Sequence, residues 1–112
     1  VTAANTAIAL GSGDMDVFAT PALVALMENA AMNAVKSALP EGSTTVGAMI
    51  QTSHIKPSAV GETVKATAVL QEVDGRKLTF SVSAADSQGT VGEGTHIRYV
   101  VDRERFLAKL KK

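Results

Sequence analysis

One long apolar stretch, Phe18 to Ala38, does most to limit the folds that this chain can adopt. It reads FATPALVALMENAAMNAVKSA, is apolar on nearly every side of a helix, and yet carries a carboxylate, Glu28, in its middle. Thr20 stands where an N-cap is expected, and Pro21 suits the first helical position because an N–H there has no partner. A helix this apolar needs burial on more than one side, so the rest of the chain must surround it.

The sequence after this helix changes from helical spacing to alternation, which is typical of strands. Four such stretches follow: STTVGAMIQTSHIK, TVKATAVLQEV, RKLTFSVSA and TVGEGTHIRYVV. Asp74-Gly75 is a strong signal for a two-residue hairpin between the second and third. Residues Thr6 to Leu10, before the helix, are expected to form a short strand, and DRERFLAKLKK a short basic helix or tail.

These elements predict a single α+β domain over residues 1–112. It would hold one long central helix, wrapped by an antiparallel sheet of about five strands. We also expect a homodimer, because an edge strand and a half-covered helix both invite a partner.

Composition narrows the classes of function. The chain has 11 basic and 11 acidic residues, so it has no overall attraction to nucleic acid or to anionic membranes. It has no cysteine, which excludes disulfides, thiolate catalysis and cysteine-ligated metals. No apolar run reaches the roughly 18 residues of a membrane span, and no signal-peptide pattern is present. We therefore expect a soluble cytoplasmic protein that binds neither nucleic acid nor membrane and holds no metal or cofactor.

Glu28 is the first candidate for chemistry. At 100° per residue its nearest helical neighbours are all apolar: Pro21, Val24, Ala31, Met32 and Val35. Burying an ionised carboxylate is costly unless it has a charge partner, hydrogen bonds or a raised pKa. A group in such surroundings is a candidate general base or nucleophile. The alternative is that Glu28 reaches solvent at the edge of the helix or pairs with a lysine.

Thr20 and His54 are weaker candidates on their own. A threonine before proline at a helix start usually caps the helix. A histidine in parity with core residues of a strand is more often a structural residue than a catalyst. The two residues gain weight only if they converge with Glu28 in space.

Several segments between Asp16 and Val101 occur together in one known family. They are DVFATPALVALMENAA, TTVGAMIQTSHIKPSAVGETVKATAVL, DGRKLTFSVSAAD and GEGTHIRYVV. In these segments the chain resembles the hotdog-fold thioesterases, most closely the branch related to fluoroacetyl-CoA thioesterase. The resemblance implies a long helix wrapped by an antiparallel sheet, paired into a dimer. It also implies that Thr20, Glu28 and His54 form the catalytic group, which hydrolyses the thioester of coenzyme A or of an acyl carrier protein.

That activity suggests a role for each residue. Glu28 would deprotonate water or attack the thioester directly. Thr20 would position groups or relay a proton, or act as a nucleophile if a base activates it. The positioning role is favoured because no base is adjacent to Thr20 in the sequence. His54 would orient the thioester or protonate the departing sulfur. Gly47 is a candidate to offer a backbone N–H to the oxyanion, since the resemblance places a substrate-facing glycine there. Alternatively, Gly47 marks a bulge that curves the sheet.

The acyl pocket is expected to border the loop GSGDMDVF, with Phe18, Val17 and Val46 as lining residues. The fluoroacetyl enzyme carries aromatic lid residues before its threonine, whereas this loop is mainly Gly, Ser, Asp and Met. A small or medium aliphatic acyl group is therefore expected.

Basic residues near strand ends or on a polar strand face are available to the CoA phosphates: Lys56, Arg76, Lys77, His96 and Arg98. His96 and Arg98 belong to the GxHxR motif of the family. Instead of binding CoA, they could brace the sheet or the dimer.

Two other functions compete with hydrolysis. A hotdog dehydratase or hydratase would carry its catalytic histidine on or near the helix, and this helix has none. A non-catalytic acyl-CoA-binding protein would be expected to lack the acid or the histidine, and both are present.

Overall fold

The computed structural model describes residues 1–111. In chain order the elements are α1 (Ala7–Leu10), α2 (Thr20–Val35), β1 (Ser43–His54), β2 (Lys65–Asp74), β3 (Lys77–Asp86), β4 (Gly89–Asp102) and α3 (Arg103–Leu110). Short 3₁₀ turns lie at Ala3–Asn5 and Lys36–Ala38. The predicted basic C-terminal helix is α3, and Lys112 lies outside the described residues.

The four strands form one antiparallel sheet in the order β1-β4-β3-β2, so β1 and β2 are its edges. The predicted α+β fold with an antiparallel sheet is confirmed, with four strands in the described residues instead of about five. No helix within residues 1–111 is both long enough and apolar enough to cross a membrane.

The missing strand is the one expected at Thr6 to Leu10, and that expectation is wrong. The Thr6 hydroxyl accepts a hydrogen bond from Ala9 N at 3.3 Å, which caps a helical turn. Gly11, at φ 73°, ends the turn in the left-handed region that glycine adopts without strain. These two local caps favour α1, and Thr6 keeps only an isolated bridge to Phe18.

The core lies between α2 and the sheet. Buried residues recur at every fourth position of α2: Leu23, Met27, Ala31 and Val35. They meet the inward face of β3, whose buried residues alternate as the sequence predicted: Leu78, Phe80, Val82 and Ala84. Each large apolar side chain buried in this way stabilises the fold by about 1.5–3 kcal/mol.

Two glycines let β1 lie close against β4. A Cβ on Gly94 would stand 2.0 Å from the carbonyl oxygen of Gln51, and one on Gly92 would stand 2.6 Å from that of Ser53. Both neighbours are backbone atoms that cannot move aside. The GEG sequence of β4 thus permits a close strand approach near the His54 end of β1.

The turns follow the sequence closely. Asp74 pairs with Lys77 across the β2–β3 hairpin, and Gly75 takes φ 60° in the turn, as expected from Asp74-Gly75. The apolar helix stretch ends before Gly42, which takes φ 85° and leads into β1.

The start of α2 differs from the prediction in one respect. The N-cap is Ala19, which offers no side-chain hydrogen bond, and Thr20 is already helical. Thr20 is therefore not the cap, and its hydroxyl is available to another partner.

Candidate active site

Two of the three predicted catalytic residues meet directly. Thr20 is the first residue of α2 and His54 is the last residue of β1. Thr20 Oγ1 and His54 Nδ1 are 2.8 Å apart, a hydrogen bond between a helix start and a strand end. The hydroxyl that would have capped the helix is thus paired with an imidazole.

The surroundings of His54 favour its neutral form. The ring of Phe18 stands edge-on to the imidazole, with centroids 6.4 Å apart. Burial lowers the pKa of His54 below 6.5, and the backbone of Lys56 acts in the opposite direction. Nε2 is buried and has no hydrogen-bond partner among residues 1–111. Burial therefore favours the uncharged imidazole at neutral pH, and Nε2 is left without a partner in the described part of the chain.

A cavity of about 250 Å³ lies beside this pair. Thr20 and His54 both line it. The remaining wall comes from α1, from the loop before α2 and from the segment after β1: Ala7, Ser12, Val17, Phe18, Ile55, Lys56 and Pro57. The predicted loop, with Val17 and Phe18, therefore borders this cavity.

Glu28 lies two turns further along α2, about 12 Å from Thr20 along the axis at roughly 1.5 Å per residue. Its side chain is 41% exposed, so the carboxylate is not sealed among apolar side chains within one chain. Its Oε2 is 3.8 Å from Nη1 of Arg98. Two of the expected outcomes are therefore observed together within one chain: the carboxylate reaches solvent, and it has a charge partner, which is an arginine and not a lysine.

Arg98 is held in place by its neighbours on two strands. Its Nε donates to Thr45 Oγ1 at 2.8 Å, and its Nη2 donates to the Thr45 carbonyl at 2.9 Å. Its Nη1 lies 3.2 Å from His96 Nε2, while His96 Nδ1 lies 2.7 Å from the Met49 carbonyl. A carbonyl requires a donor, so His96 is protonated at Nδ1 and accepts at Nε2. Burial lowers the pKa of Arg98, and the charge of Glu28 opposes that shift.

The expected position of His96 and Arg98 at a strand end or on a polar strand face is wrong. They are 1% and 6% exposed, on the inward face of β4. Their polar atoms bind β1 and approach Glu28. Within this chain they brace the sheet, which was the alternative for the GxHxR motif.

Gly47 leaves room for the carboxylate of Glu28. A Cβ at this position would stand 2.8 Å from Glu28 Oε2 and 3.4 Å from His96 Cε1. The strand register also shifts between Gly47 and Met49, so the bulge expected as an alternative is present. The role of the Gly47 N–H at an oxyanion stays a prediction.

The bulge places Val46 and His54 on different faces of the sheet. One extra residue in a strand reverses the parity of every residue beyond it. Val46 pairs with Tyr99, whereas His54 pairs with Gly92, so the two lie on opposite faces of the sheet. Val46 is not among the residues that line the cavity beside Thr20 and His54, and its place in the acyl pocket stays a prediction.

The other basic candidates occupy two different places. Lys56 lines the cavity and forms an ion pair with Asp86. Arg76 and Lys77 lie at the β2–β3 turn, at the end of the sheet away from His54. Asp86, Ser58 and Thr45 were not singled out from the sequence. An aspartate in DSQG reads as a turn residue, and nothing in the pattern links it to Lys56.

The model of the fluoroacetyl-CoA-specific thioesterase family matches residues 1–104. The chain belongs to that family. The fluoroacetyl-CoA thioesterase of Streptantibioticus cattleyicolor is 41% identical over 96 residues, which cover 86% of this chain and 69% of that protein. The predicted assignment to a thioesterase of the fluoroacetyl-CoA branch is confirmed.

Solved structures of a fluoroacetyl-CoA thioesterase, FlK, agree over nearly the whole chain. One has a TM-score of 0.94 at 36% identity and covers 99% of this chain and 87% of its own. A variant of FlK in complex with fluoroacetate and CoA has the same score and identity, covering 99% and 91%. A hot-dog-like protein from Thermanaerovibrio acidaminovorans, at 24% identity and a TM-score of 0.88, covers 98% and 82% and supports the fold alone. This member of the fluoroacetyl-CoA-specific thioesterase family therefore has the hotdog fold.

Proposed function

We propose that this protein hydrolyses the thioester of a small acyl-CoA to a free acid and coenzyme A, with Thr20, Glu28 and His54 as its catalytic residues. The observation that carries the proposal is the 2.8 Å contact of Thr20 with His54 at the wall of a cavity. Membership of a thioesterase family supplies the reaction class.

In the first step water, or Glu28 itself, attacks the thioester carbonyl. Glu28 acts as general base in the former case and forms a mixed anhydride in the latter. Negative charge develops on the carbonyl oxygen, which the backbone N–H of Gly47 would stabilise. The carbon–sulfur bond then breaks, and the thiolate of coenzyme A leaves and takes up a proton. Where water attacks, the same step gives the free acid. Where Glu28 attacks, water then hydrolyses the mixed anhydride, which releases the acid and restores the Glu28 carboxylate.

His54 is suited to assist at the thioester. Its neutral imidazole has Nδ1 fixed by Thr20 and Nε2 buried without a partner among the described residues. Because the ring is held in one orientation, Nε2 would either orient the thioester or donate a proton to the departing sulfur. Thr20 thereby has a positioning role, because its hydroxyl fixes the ring.

Glu28 and the Thr20–His54 pair would act together in a homodimer. Along one helix they are about 12 Å apart. The outer side of β1 is an unpaired sheet edge in the single chain, and Met49 beside Gly47 is 40% exposed. A second copy at this edge would cover Glu28 and bring the pair of one subunit to the carboxylate of the other.

The acyl group is proposed to be small. The cavity of about 250 Å³ lies below the range of about 300–1,000 Å³ typical of drug-sized ligands. The loop from Gly11 to Asp16 has no aromatic residue, so we favour a simple aliphatic acyl group over fluoroacetyl. Coenzyme A is favoured over a carrier protein because a FlK variant is known in complex with CoA. The absence of cysteine suits a reducing compartment, and we place the enzyme in the cytoplasm.

The test is a thiol-release assay with a panel of acyl-CoAs: acetyl, fluoroacetyl, butyryl, hexanoyl and decanoyl. We expect the highest kcat/KM with short aliphatic chains and a clear fall at decanoyl. Binding of every acyl-CoA with no release of thiol would favour the non-catalytic alternative. A dehydratase would instead change the acyl chain and leave the thioester intact.

A further inference from the structure

Asp86 is a buried carboxylate that the proposed reaction does not use. It ends β3, and its side chain has no solvent exposure. Its Oδ2 accepts hydrogen bonds from Lys56 Nζ and, at 2.7 Å, from Ser58 Oγ, while Oδ1 accepts from Gln88 N at 2.8 Å. The pKa of Asp86 is lowered to about 2, chiefly by the hydrogen bonds from Lys56 and Ser58 and further by Gln88 N and the charge of Lys56, while burial acts in the opposite direction. Its carboxylate is therefore charged throughout the working range of pH.

The two side chains that bind Asp86, Lys56 and Ser58, are each linked to one residue of the Thr20–His54 pair. Lys56 follows His54 by two residues, at the end of β1. Ser58 accepts a hydrogen bond at its carbonyl from Phe18 N at 2.9 Å, and Phe18 precedes Thr20 by two residues. One carboxylate thus joins the segment that leaves His54 to the segment that enters α2.

We propose that Asp86 is a positioning residue that holds Thr20 and His54 in contact through Lys56 and Ser58. This inference rests on the proposed thioesterase function of that pair. Asp86 touches neither catalytic residue, and it acts only by fixing the two segments that carry them.

This anchor acts where the pair joins the start of a helix to the end of a strand. Thr20 opens a helix whose cap, Ala19, makes no side-chain hydrogen bond. His54 closes an edge strand, and beyond it the backbone N–H groups of Ile55 and Lys56 share one acceptor, the Val91 carbonyl, at 2.8 and 3.3 Å. A displacement of about 1 Å at a catalytic contact can reduce the rate about 100-fold. The bonds to Asp86 oppose that displacement.

Glu62 offers a matched control. It joins the same loop to the same β3–β4 turn, since its Oε1 accepts from Ser87 N at 3.1 Å and from Ser87 Oγ at 2.6 Å. Neither of these bonds reaches Phe18 or Lys56. Glu62→Gln therefore weakens the tether of the loop without touching the segments that carry Thr20 and His54.

The experiment compares Asp86→Asn with Glu62→Gln in the full chain, using the acyl-CoA that wild type hydrolyses best. We expect Asp86→Asn to lower kcat about 10- to 100-fold, with KM changed less than about threefold. Glu62→Gln should keep kcat within about twofold of wild type. Because Asp86→Asn removes a partly buried ion pair, Ser58→Ala serves as a milder second variant, with kcat expected to fall about 3- to 10-fold. Wild-type kcat in folded Asp86→Asn or in Ser58→Ala would overturn the proposal, as would equal losses in Asp86→Asn and Glu62→Gln.

A spectroscopic readout separates this inference from the proposed function. The ¹⁵N signals of the His54 ring report its hydrogen bond to Thr20 whether or not the protein turns over a substrate. We expect them to shift in Asp86→Asn and Ser58→Ala and to stay in place in Glu62→Gln. If wild type cleaves no thioester, the proposed function fails, and unchanged His54 signals in Asp86→Asn would separately contradict the positioning role.

Discussion

The imidazole of His54 is the group whose charge most directly follows from its surroundings. Burial against Phe18 lowers its pKa below 6.5, so the neutral ring persists to lower pH than in a free histidine. The hydroxyl of Thr20 is then hydrogen-bonded to Nδ1 of a ring that burial keeps neutral. The activity is therefore expected to depend on pH through His54.

We expect kcat/KM for the best acyl-CoA to be level near neutral pH and to fall as acid protonates His54. The midpoint of that fall should lie below 6.5, because the folded-state pKa is lowered. The stability of the fold should change with pH in the same direction as the activity. His54 binds a proton more readily in the unfolded chain, so stability declines as pH falls from about 6.5 through the lowered pKa of His54 in the fold. Both are measured by a pH series of kinetics and thermal unfolding.

His54→Gln is the control for this assignment. In this variant, the fall in kcat/KM at low pH that is attributed to His54 should be absent from the remaining activity. A midpoint above 6.5, or an unchanged acid limb in His54→Gln, would contradict the account of this residue.

The sequence indicated some site residues and missed others for physical reasons. Thr20, Glu28 and His54 were named from residue type and family spacing, and Thr20 and His54 do meet. Asp86 was missed because its partner Lys56 is distant in the chain, and only the fold brings them together.

Among the elements, two strands contain glycines that serve different needs: Gly47 in β1 serves the candidate site, and Gly94 in β4 serves the fold. A Cβ on Gly47 would meet the flexible end of Glu28 at 2.8 Å, whereas one on Gly94 would meet backbone at 2.0 Å. A side-chain carboxylate can move aside at little cost, and a paired strand cannot. Gly47 therefore leaves room for the Glu28 side chain, and Gly94 lets β1 and β4 lie close together.

We expect Gly47→Ala to fold nearly as well as wild type and to lower kcat about tenfold or more, because Glu28 is displaced. Gly94→Ala should instead lose about 1–3 kcal/mol of unfolding free energy through overpacking. Denaturant unfolding and steady-state kinetics measure the two effects. A Gly47→Ala variant with wild-type kcat would show that the carboxylate does not need its observed place.

An element was predictable from the sequence where a single hydrophobic periodicity, helical or alternating, continued along its whole length. The alternation in β3 held because that central strand faces α2 along its whole buried stretch. The parity of β1 failed at Ala48, since a bulge adds one residue without any mark in the alternation. The strand expected at Thr6 to Leu10 failed because Thr6 and Gly11 cap a helical turn at its two ends.

At the scale of the whole molecule, the single chain leaves β1 open at the edge of the sheet and Glu28 partly exposed. We therefore expect a homodimer, with a mass in sedimentation near twice 11.6 kDa. The dimer should persist at assay concentrations, because the proposed site draws on both copies. A purely monomeric species with full activity would contradict that arrangement.

The general architecture followed from one apolar helix and a run of alternating strands, since few folds can bury such a helix. Thr20 begins a helix and His54 ends a strand, 34 positions further along the chain. Periodicity does not predict that these two residues are in contact. Their contact depends on how α2 lies across the sheet, which is a property of the packed core.

The most direct test of the central claim is the kcat of Glu28→Gln on the best acyl-CoA, measured beside its thermal unfolding. The side chain is near-isosteric and half exposed, so we expect a folded protein with a melting temperature close to wild type. Without a carboxylate to activate water or attack the carbonyl, kcat should fall at least about 100-fold. A folded Glu28→Gln protein that releases thiol at the wild-type rate would contradict the account.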